Sequence, residues 1–302
     1  MKLHGWIIYN GQLQGKKFID FAIWLQRAAS RKQIDTIIYR NDEVISYLNS
    51  HKITLLQTAE DKLPDFVLFT DKDIYLARQF ELMGVPVFNS ARSIELSDDK
   101  IATYQALASG GIPIPKTMIQ PKIFHYNEHH PEYIEHIIDE LSFPMIIKEA
   151  YGSFGEQVYL IHTKQKMLEK MQDLGEKSYV FQEFISSSYG MDARLHVVGD
   201  DVVAAMKRYN TNDFRANITS GGSMEAYTAK DNEISFAVRA AKAIGADFAG
   251  VDILFGPDEA PIICEVNSNA HIRNMYEATG IDVSDFMIEH ILHTLNTQAG
   301  YK

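Results

Sequence analysis

Over its first third the chain alternates short apolar runs with stretches of helical periodicity, a pattern produced by parallel strands joined by helices. Residues 5–9 read as a strand, after which Phe18, Phe21, Ala22, Leu25, Ala28 and Ala29 recur at helical spacing. Residues 34–39 and 65–69 are two further predicted strands, 73–83 a helix stopped by Gly84, and 85–88 a short strand. Together they predict a small open α/β domain over residues 1–90. A helix over 98–109 follows, with Ser97 as its expected N-cap and Gly110-Gly111 as its stop. The stiff segment Ile112-Pro113-Ile114-Pro115 then marks a change of pattern. Beyond it the strands lengthen and read as antiparallel: 143–149, 157–161, 178–184, 193–198 and 202–209, the last two joined by a tight turn at Gly199-Asp200. A helix over 232–244, a strand pair at 248–255 and 261–267, and a helix over 283–295 complete the pattern, without internal repeats.

Composition narrows the classes. The 302 residues are 46% hydrophobic and 23% charged, and no 18-residue apolar run is present, which excludes a disordered chain and a helical membrane protein. The net charge of −11 argues against nucleic acid and anionic lipid as partners. The single cysteine, Cys264, allows no internal disulfide. With an apolar run near the amino terminus too short for a signal-peptide core, the expected compartment is the cytoplasm. His125, His129, His130 and His136 invite a metal reading, but no Cys or carboxylate pair joins them, and a polar surface insertion accounts for them.

Three segments carry chemistry. In 249–255 an acid, Asp252, interrupts an apolar strand, where an unpaired carboxylate would be costly to bury. The next strand places Glu265 and Asn267 on one face, and a hairpin folded symmetrically about Asp258 and Glu259 pairs position 252 with 265. Three oxygen-bearing side chains then converge, a donor set for Mg²⁺; the alternative is a buried acid held by an arginine or backbone amides. Lys148 ends an apolar strand and is followed by the loop Gly152-Ser153-Phe154-Gly155, an arrangement that serves either a polyphosphate or a plain hairpin turn. Neither GxxxxGK[ST] nor GxGxxG is present. Finally, Gln182-Glu183-Phe184-Ile185 ends a strand with polar groups beside apolar side chains, suited to an adenine edge or simply to a charged strand exit.

In order and spacing these features resemble the ATP-grasp superfamily and, within it, the RimK-type α-L-glutamate ligases. The resemblance rests on Asp99-Lys100 before Gly-Ile-Pro-Ile-Pro, Lys148 with its glycine loop, Gln182-Glu183-Phe184-Ile185, Gly190-Met191-Asp192-Ala193-Arg194 and Asp213-Phe214-Arg215-Ala216-Asn217. Gly221-Gly222, Asp252, Glu265-Val266-Asn267 and Ala278-Thr279-Gly280-Ile281-Asp282 complete it. It implies an α/β pre-ATP-grasp domain (1–90) followed by an α+β ATP-grasp fold that holds nucleotide between two antiparallel-sheet lobes: a central lobe with a glycine lid (91–178) and a C-terminal lobe with the metal site (179–302). By similarity Lys100 and Lys148 contact ATP phosphates and Gly152, Ser153 and Gly155 form the lid. Gln182, Glu183, Phe184 and Ile185 hold adenine, Asp192 holds ribose, and Asp252, Glu265 and Asn267 hold Mg²⁺, with Mn²⁺ as a substitute.

The reaction implied is ligation of a carboxylate to an amine of an amino acid or peptide, with ATP converted to ADP through an acyl phosphate. Arg215 and Arg194 then stabilise the acyl phosphate and oxyanion, with Asn217 orienting the substrate; for each arginine a structural salt bridge is the alternative. Lys207 and Arg208 join an anionic pocket or form a solvated strand end, and His271 and Arg273 contact the acceptor or lie on a helix surface. Where the glutamate ligases carry a His-Arg pair after this asparagine, the chain has Ile218-Thr219-Ser220-Gly221-Gly222, which leaves the amino-acid substrate open. A homo-oligomer is a further expectation from the family. The competing reading is a non-catalytic ATP-binding regulatory protein on the same fold.

Overall fold

A computed structural model describes residues 3–13, 15–56, 62–125, 130–153, 155–218 and 221–299. Phe154, His129, Thr219 and Ser220, which figure in the sequence reading, lie outside them. The chain begins with β1 (His4–Tyr9), α1 (Lys16–Arg31), β2 (Asp35–Arg40), a hairpin of β3 (Ile45–Leu48) and β4 (Ile53–Leu56), then β5 (Phe66–Phe69), α2 (Ile74–Leu82) and β6 (Val87–Phe88). Strands β2-β1-β5-β6 form one parallel sheet, as expected. All four residues of β5 are buried because helices and connections cover both faces of a parallel sheet, which is why the strand reads as an unbroken apolar run.

Two helices follow where the periodicity predicted one. α3 (Ala91–Asp98) is capped by Ser90, whose hydroxyl accepts from Ser93 N–H at 3.2 Å, and α4 (Lys100–Ser109) by Asp99, whose carboxylate accepts from Ile101 and Ala102 N–H. Ser97 is therefore not an N-cap. An acidic side chain can satisfy two first-turn donors at once, and extended backbone at Asp99 separates the helices.

Next come β7 (Thr117–Ile119), α5 (Pro131–Leu141), β8 (Met145–Glu149), β9 (Val158–Ile161), α6 (Lys164–Leu174) and β10 (Tyr179–Glu183). Their sheet has the order β7-β10-β8-β9 and is antiparallel, so it continues past residue 178. α5 and α6 cover one face through Ile134, Ile137, Met167 and Met171. In α6 the buried stripe is only Met167, Met171 and Leu174 among charged residues, too sparse an apolar signal to stand out in the sequence.

The last portion comprises β11 (Met191–Val198), β12 (Asp201–Tyr209), β13 (Ser223–Ala226), α7 (Asp231–Ala243), β14 (Phe248–Phe255), β15 (Pro261–Asn267), α8 (Arg273–Thr279) and α9 (Val283–Ala299). Its antiparallel sheet runs β13-β12-β11-β14-β15, which leaves β15 at an edge. α7 packs against it through Ala237, Ala240 and Ala241, residues small enough to bring helix and sheet close. A single apolar cluster joins the amino-terminal layer to this sheet and α9, with Ile7, Phe21 and Leu25 packed in the same core as Phe248, Met287 and Ile291. Among the described residues no helix is long and apolar enough to cross a membrane.

Candidate functional site

A cleft open to solvent is lined by residues from both antiparallel sheets. Strand alternation decides what faces it. On β8, Ile146 and Lys148 line the cleft while Ile147 points into the core beneath α5 and α6; on β14, Asp252 and Leu254 face it together. Lys100, Lys148, Gly152, Ser153, Gly155, Gln182, Glu183, Phe184, Ile185, Asp192, Arg215, Asn217, Asp252 and Glu265 all line this one cleft. Arg194 and Asn267 do not.

The two lysines enter from different elements. Lys100, in the first turn of α4, donates to Gly152 O at 3.1 Å. Lys148 donates to the Tyr104 hydroxyl at 3.0 Å and lies 3.6 Å from Cys264 Sγ. Burial opposes charge on both: it prevails at Lys100, whose ammonium is shifted below its usual value, while at Lys148 the surrounding Cys264, Tyr104 and Glu265 outweigh it and the shift is upward. Burial also pushes the Tyr104 hydroxyl and the Cys264 thiol up.

The glycine loop is held at both ends. Lys100 grips Gly152, and Arg215 donates to Gly155 O while its Nε and Nη2 pair with Asp213 at 3.0 and 2.7 Å. Gly155 has φ +74°, a backbone conformation that strains any L side chain, and a Cβ there would lie 2.3 Å from Asn217 Nδ2 and push that amide aside. Ser153 N–H donates to Gln157 Oε1 at 3.2 Å, a brace within the loop that the sequence reading missed. Phe184 packs edge-on to Phe214 with centroids 6.3 Å apart, which ties the strand exit at 183–185 to the segment carrying Arg215.

Behind the cleft runs a ladder of buried charges across β11, β12 and β14. Arg208 grips Asp192 through two bonds of 2.6 Å and reaches Asp252 at 2.9 Å; Arg194 grips Asp252 through bonds of 2.6 and 2.7 Å. Burial works against charge on both acids. At Asp252 the two guanidiniums win and the carboxyl is pulled down to about 2, whereas at Asp192 burial wins and the shift is upward. Arg208 is neither a pocket cation nor a solvated strand end but the buried hub of this ladder. Arg194 is likewise committed to Asp252, the salt-bridge alternative. Lys207, on the opposite face of β12, sits 4.6 Å from the Phe255 ring centroid.

Asp252 does pair with Glu265, by a different route from a symmetric hairpin. Near the turn Ile253 pairs with Ile263, and a bulge leaving Cys264 unpaired restores the match of 252 to 265. Glu265 is half-buried and, among the described residues, has no hydrogen bond or ion pair. Asn267, opposite Gly250, donates Nδ2 to Gly250 O at 3.5 Å, which leaves Oδ1 as an acceptor. An unpartnered carboxylate and an open amide oxygen on one strand face, beside Asp252, fit a hard divalent cation.

The apolar walls Ile146, Met191 and Leu254, together with Tyr104, complete the site and were missed. Ile146 and Leu254 could have been found, because each lies two residues along a strand from an expected site residue. His271 and Arg273 turn away: His271 meets Lys17 O at 2.6 Å and Arg273 pairs with Asp20 at 2.8 Å, both on α1. His125 and His130 sit beside Glu176 and Glu132, and no group of three or more His, Cys, Asp and Glu among the described residues is arranged to hold a metal.

Comparison with known proteins agrees with this architecture. The RimK-like ATP-grasp domain model matches residues 97–291. A probable alpha-L-glutamate ligase of Trichodesmium erythraeum is 38% identical over 221 residues, covering 72% of this chain and 71% of that protein. In fold, the chain matches the ATP-grasp ligase PsnB, solved with a precursor variant, Mg and ADP, at a TM-score of 0.68 and 18% identity, over 97% of this chain and 98% of PsnB. It matches the D-alanine–D-alanine ligase of Bacillus anthracis, solved with ATP, at a TM-score of 0.71 and 16% identity, over 98% and 99% of the two chains.

Proposed function

The chain belongs to the RimK-like ATP-grasp family, and on that premise we propose that it joins a carboxylate to the amine of an amino acid or peptide, converting ATP to ADP and phosphate with Mg²⁺. The observation that carries this reading is the meeting, in one cleft, of two lysines from separate elements, a glycine loop and the unpartnered Glu265.

In this reading adenine lies between Ile146, Met191 and Leu254 with its edge on backbone groups of 183–185, supported by Gln182. Asp192 accepts from ribose hydroxyls; Arg208 orients that carboxylate and leaves it further acceptor positions. Lys100 and Lys148 hold the phosphates under the loop of Gly152, Ser153 and Gly155. Glu265, Asn267 and, shared with its arginines, Asp252 hold Mg²⁺ or Mn²⁺, which supplies charge neutralisation at the phosphate oxygens. A substrate carboxylate oxygen attacks the γ-phosphorus and ADP leaves. The amine nitrogen then attacks the acyl carbon, loses its proton, and phosphate departs. Arg215 and Asn217, at the mouth of the glycine loop, orient the acyl phosphate and stabilise the oxyanion, while Arg194 acts through Asp252.

The test is mass spectrometry of products, with ADP release measured in parallel, after incubation with ATP, Mg²⁺ and panels of amino acids and peptides. A product whose mass equals acid plus amine minus water, formed one per ADP, is expected. Nucleotide binding with no stimulation of ADP release by any carboxylate–amine pair would sink the ligase reading in favour of a non-catalytic ATP-binding protein.

A further inference from the structure

The strand that carries Glu265 and Asn267 is an edge strand, and β14 satisfies only one of its sides. An edge left to solvent frays and shifts, yet this one is fastened along its length from outside the sheet. Ile263 N–H donates to Pro113 O at 2.8 Å, and the Tyr104 hydroxyl donates to Cys264 O at 2.6 Å. Ser97 Oγ donates to Val266 O at 3.0 Å and accepts from Ser268 N–H at 2.9 Å. Asn89 Nδ2 donates to Ser268 O at 2.9 Å. The attachments on 264, 266 and 268 thus bracket Glu265 and Asn267, the two side chains with free oxygen. The side chain expected to cap a helix, Ser97, is one of these fasteners.

Tyr104 has a second duty. The hydroxyl that donates to Cys264 O also accepts from Lys148 Nζ at 3.0 Å, and the residue is 3% exposed. One oxygen therefore ties the lysine of β8, in one sheet, to the backbone beside Glu265 in the other. We propose that Tyr104 is a positioning residue that couples nucleotide-phosphate binding at Lys148 to divalent-cation binding at Glu265 and Asn267, with Ser97 holding the next point along the same strand. A phosphate that draws on Lys148 then acts on the strand carrying the cation donors, and a cation there acts back on Lys148, as any energetic coupling must. The proposal rests on the nucleotide and metal reading of the cleft.

The experiment is calorimetric titration of ADP into the full chain, with Mg²⁺ and with EDTA, for the wild type, Tyr104→Phe, Ser97→Ala and Ser97→Thr, with the unfolding midpoint recorded for each. The ratio of the two affinities measures the coupling, and complexation of ADP by Mg²⁺ in solution cancels between proteins. Tyr104→Phe is expected to lower the ratio about tenfold, the scale on which groups supporting a metal's ligands act. Ser97→Ala should lower it in the same direction and Ser97→Thr, which keeps a hydroxyl, should restore it. A residue with only a structural role would move the midpoint and leave the ratio intact; that outcome in folded Tyr104→Phe overturns the proposal. Should Tyr104→Phe not fold, an unchanged ratio in Ser97→Ala overturns it equally. A wild type whose ADP affinity ignores Mg²⁺ would instead remove the metal reading beneath it, and the proposal with it.

Discussion

Replacing Arg208 with methionine tests the charge ladder most directly. The guanidinium has a side chain 5% exposed and makes contacts of 2.6, 2.6 and 2.9 Å with two buried carboxylates. Methionine fills much of the same space without the charge, leaving Asp192 with no counter-ion and Asp252 with Arg194 alone. Stranding a buried charge in this way costs about 3–5 kcal/mol. At an unfolding entropy of about 2.1 cal/mol/K per residue, that corresponds for a chain of this size to a fall in Tm of roughly 5–8 °C. The loss also carries a pH signature. In the wild type the Asp252 carboxyl is held at about 2 against an ordinary 3.8, so it contributes stability that is complete above the ordinary value and lost as pH falls toward 2. In the variant the unpaired Asp192, already raised by burial, takes up a proton more readily still, and protonation relieves the folded state. Both effects have the same sign: the gap between wild type and Arg208→Met should be widest near neutral pH and shrink on acidification. Differential scanning calorimetry from pH 7 down through 3.8 toward about 2 measures it. A Tm within a degree of wild type, or a gap constant with pH, would refute the reasoning.

Two further substitutions address the proposed chemistry. Glu265→Gln should leave Tm nearly unchanged, because the wild-type carboxylate has no partner among the described residues, while Mg²⁺-dependent ADP release falls on the order of a hundredfold or more as a charged donor is lost; undiminished turnover would remove Glu265 from the cation's ligands. Gly155→Ala places a Cβ 2.3 Å from Asn217 Nδ2 at a φ of +74°, with about 1–2 kcal/mol of backbone strain. It should displace the loop from Arg215 and Asn217 and speed amide exchange at 155–157 while lowering turnover, and exchange identical to wild type would count against it.

The strands and their facing were legible because a period of two is written within six or seven residues. Lys148 and Ile146, or Glu265 and Asn267, share a face in any strand that contains them, and the Asp252–Glu265 pairing lies within a single hairpin. The glycine loop was visible for a similar reason, as a short glycine-containing turn after an apolar strand, while Lys100, Asp192, Arg215 and Asn217 were picked out only by resemblance to a family, and all of them line the one cleft. What stayed hidden depended on neighbours far along the chain. Arg208 becomes the hub of a buried ladder only because β11 lies between β12 and β14, which brings residues 192, 208 and 252 side by side. Arg194, expected to stabilise the reacting group, is claimed by Asp252 through the same adjacency. α6 was lost because its three buried positions are diluted by charge.

Which side chains share a strand face, and where the chain must turn, can thus be read from residue order alone, because those properties are local and repeat over a few residues. Which charges neutralise one another, and what fastens the outer edge of β15, emerges from the folded chain, because a buried ion or an open strand edge is satisfied by whichever group the packing of distant segments brings within hydrogen-bond reach.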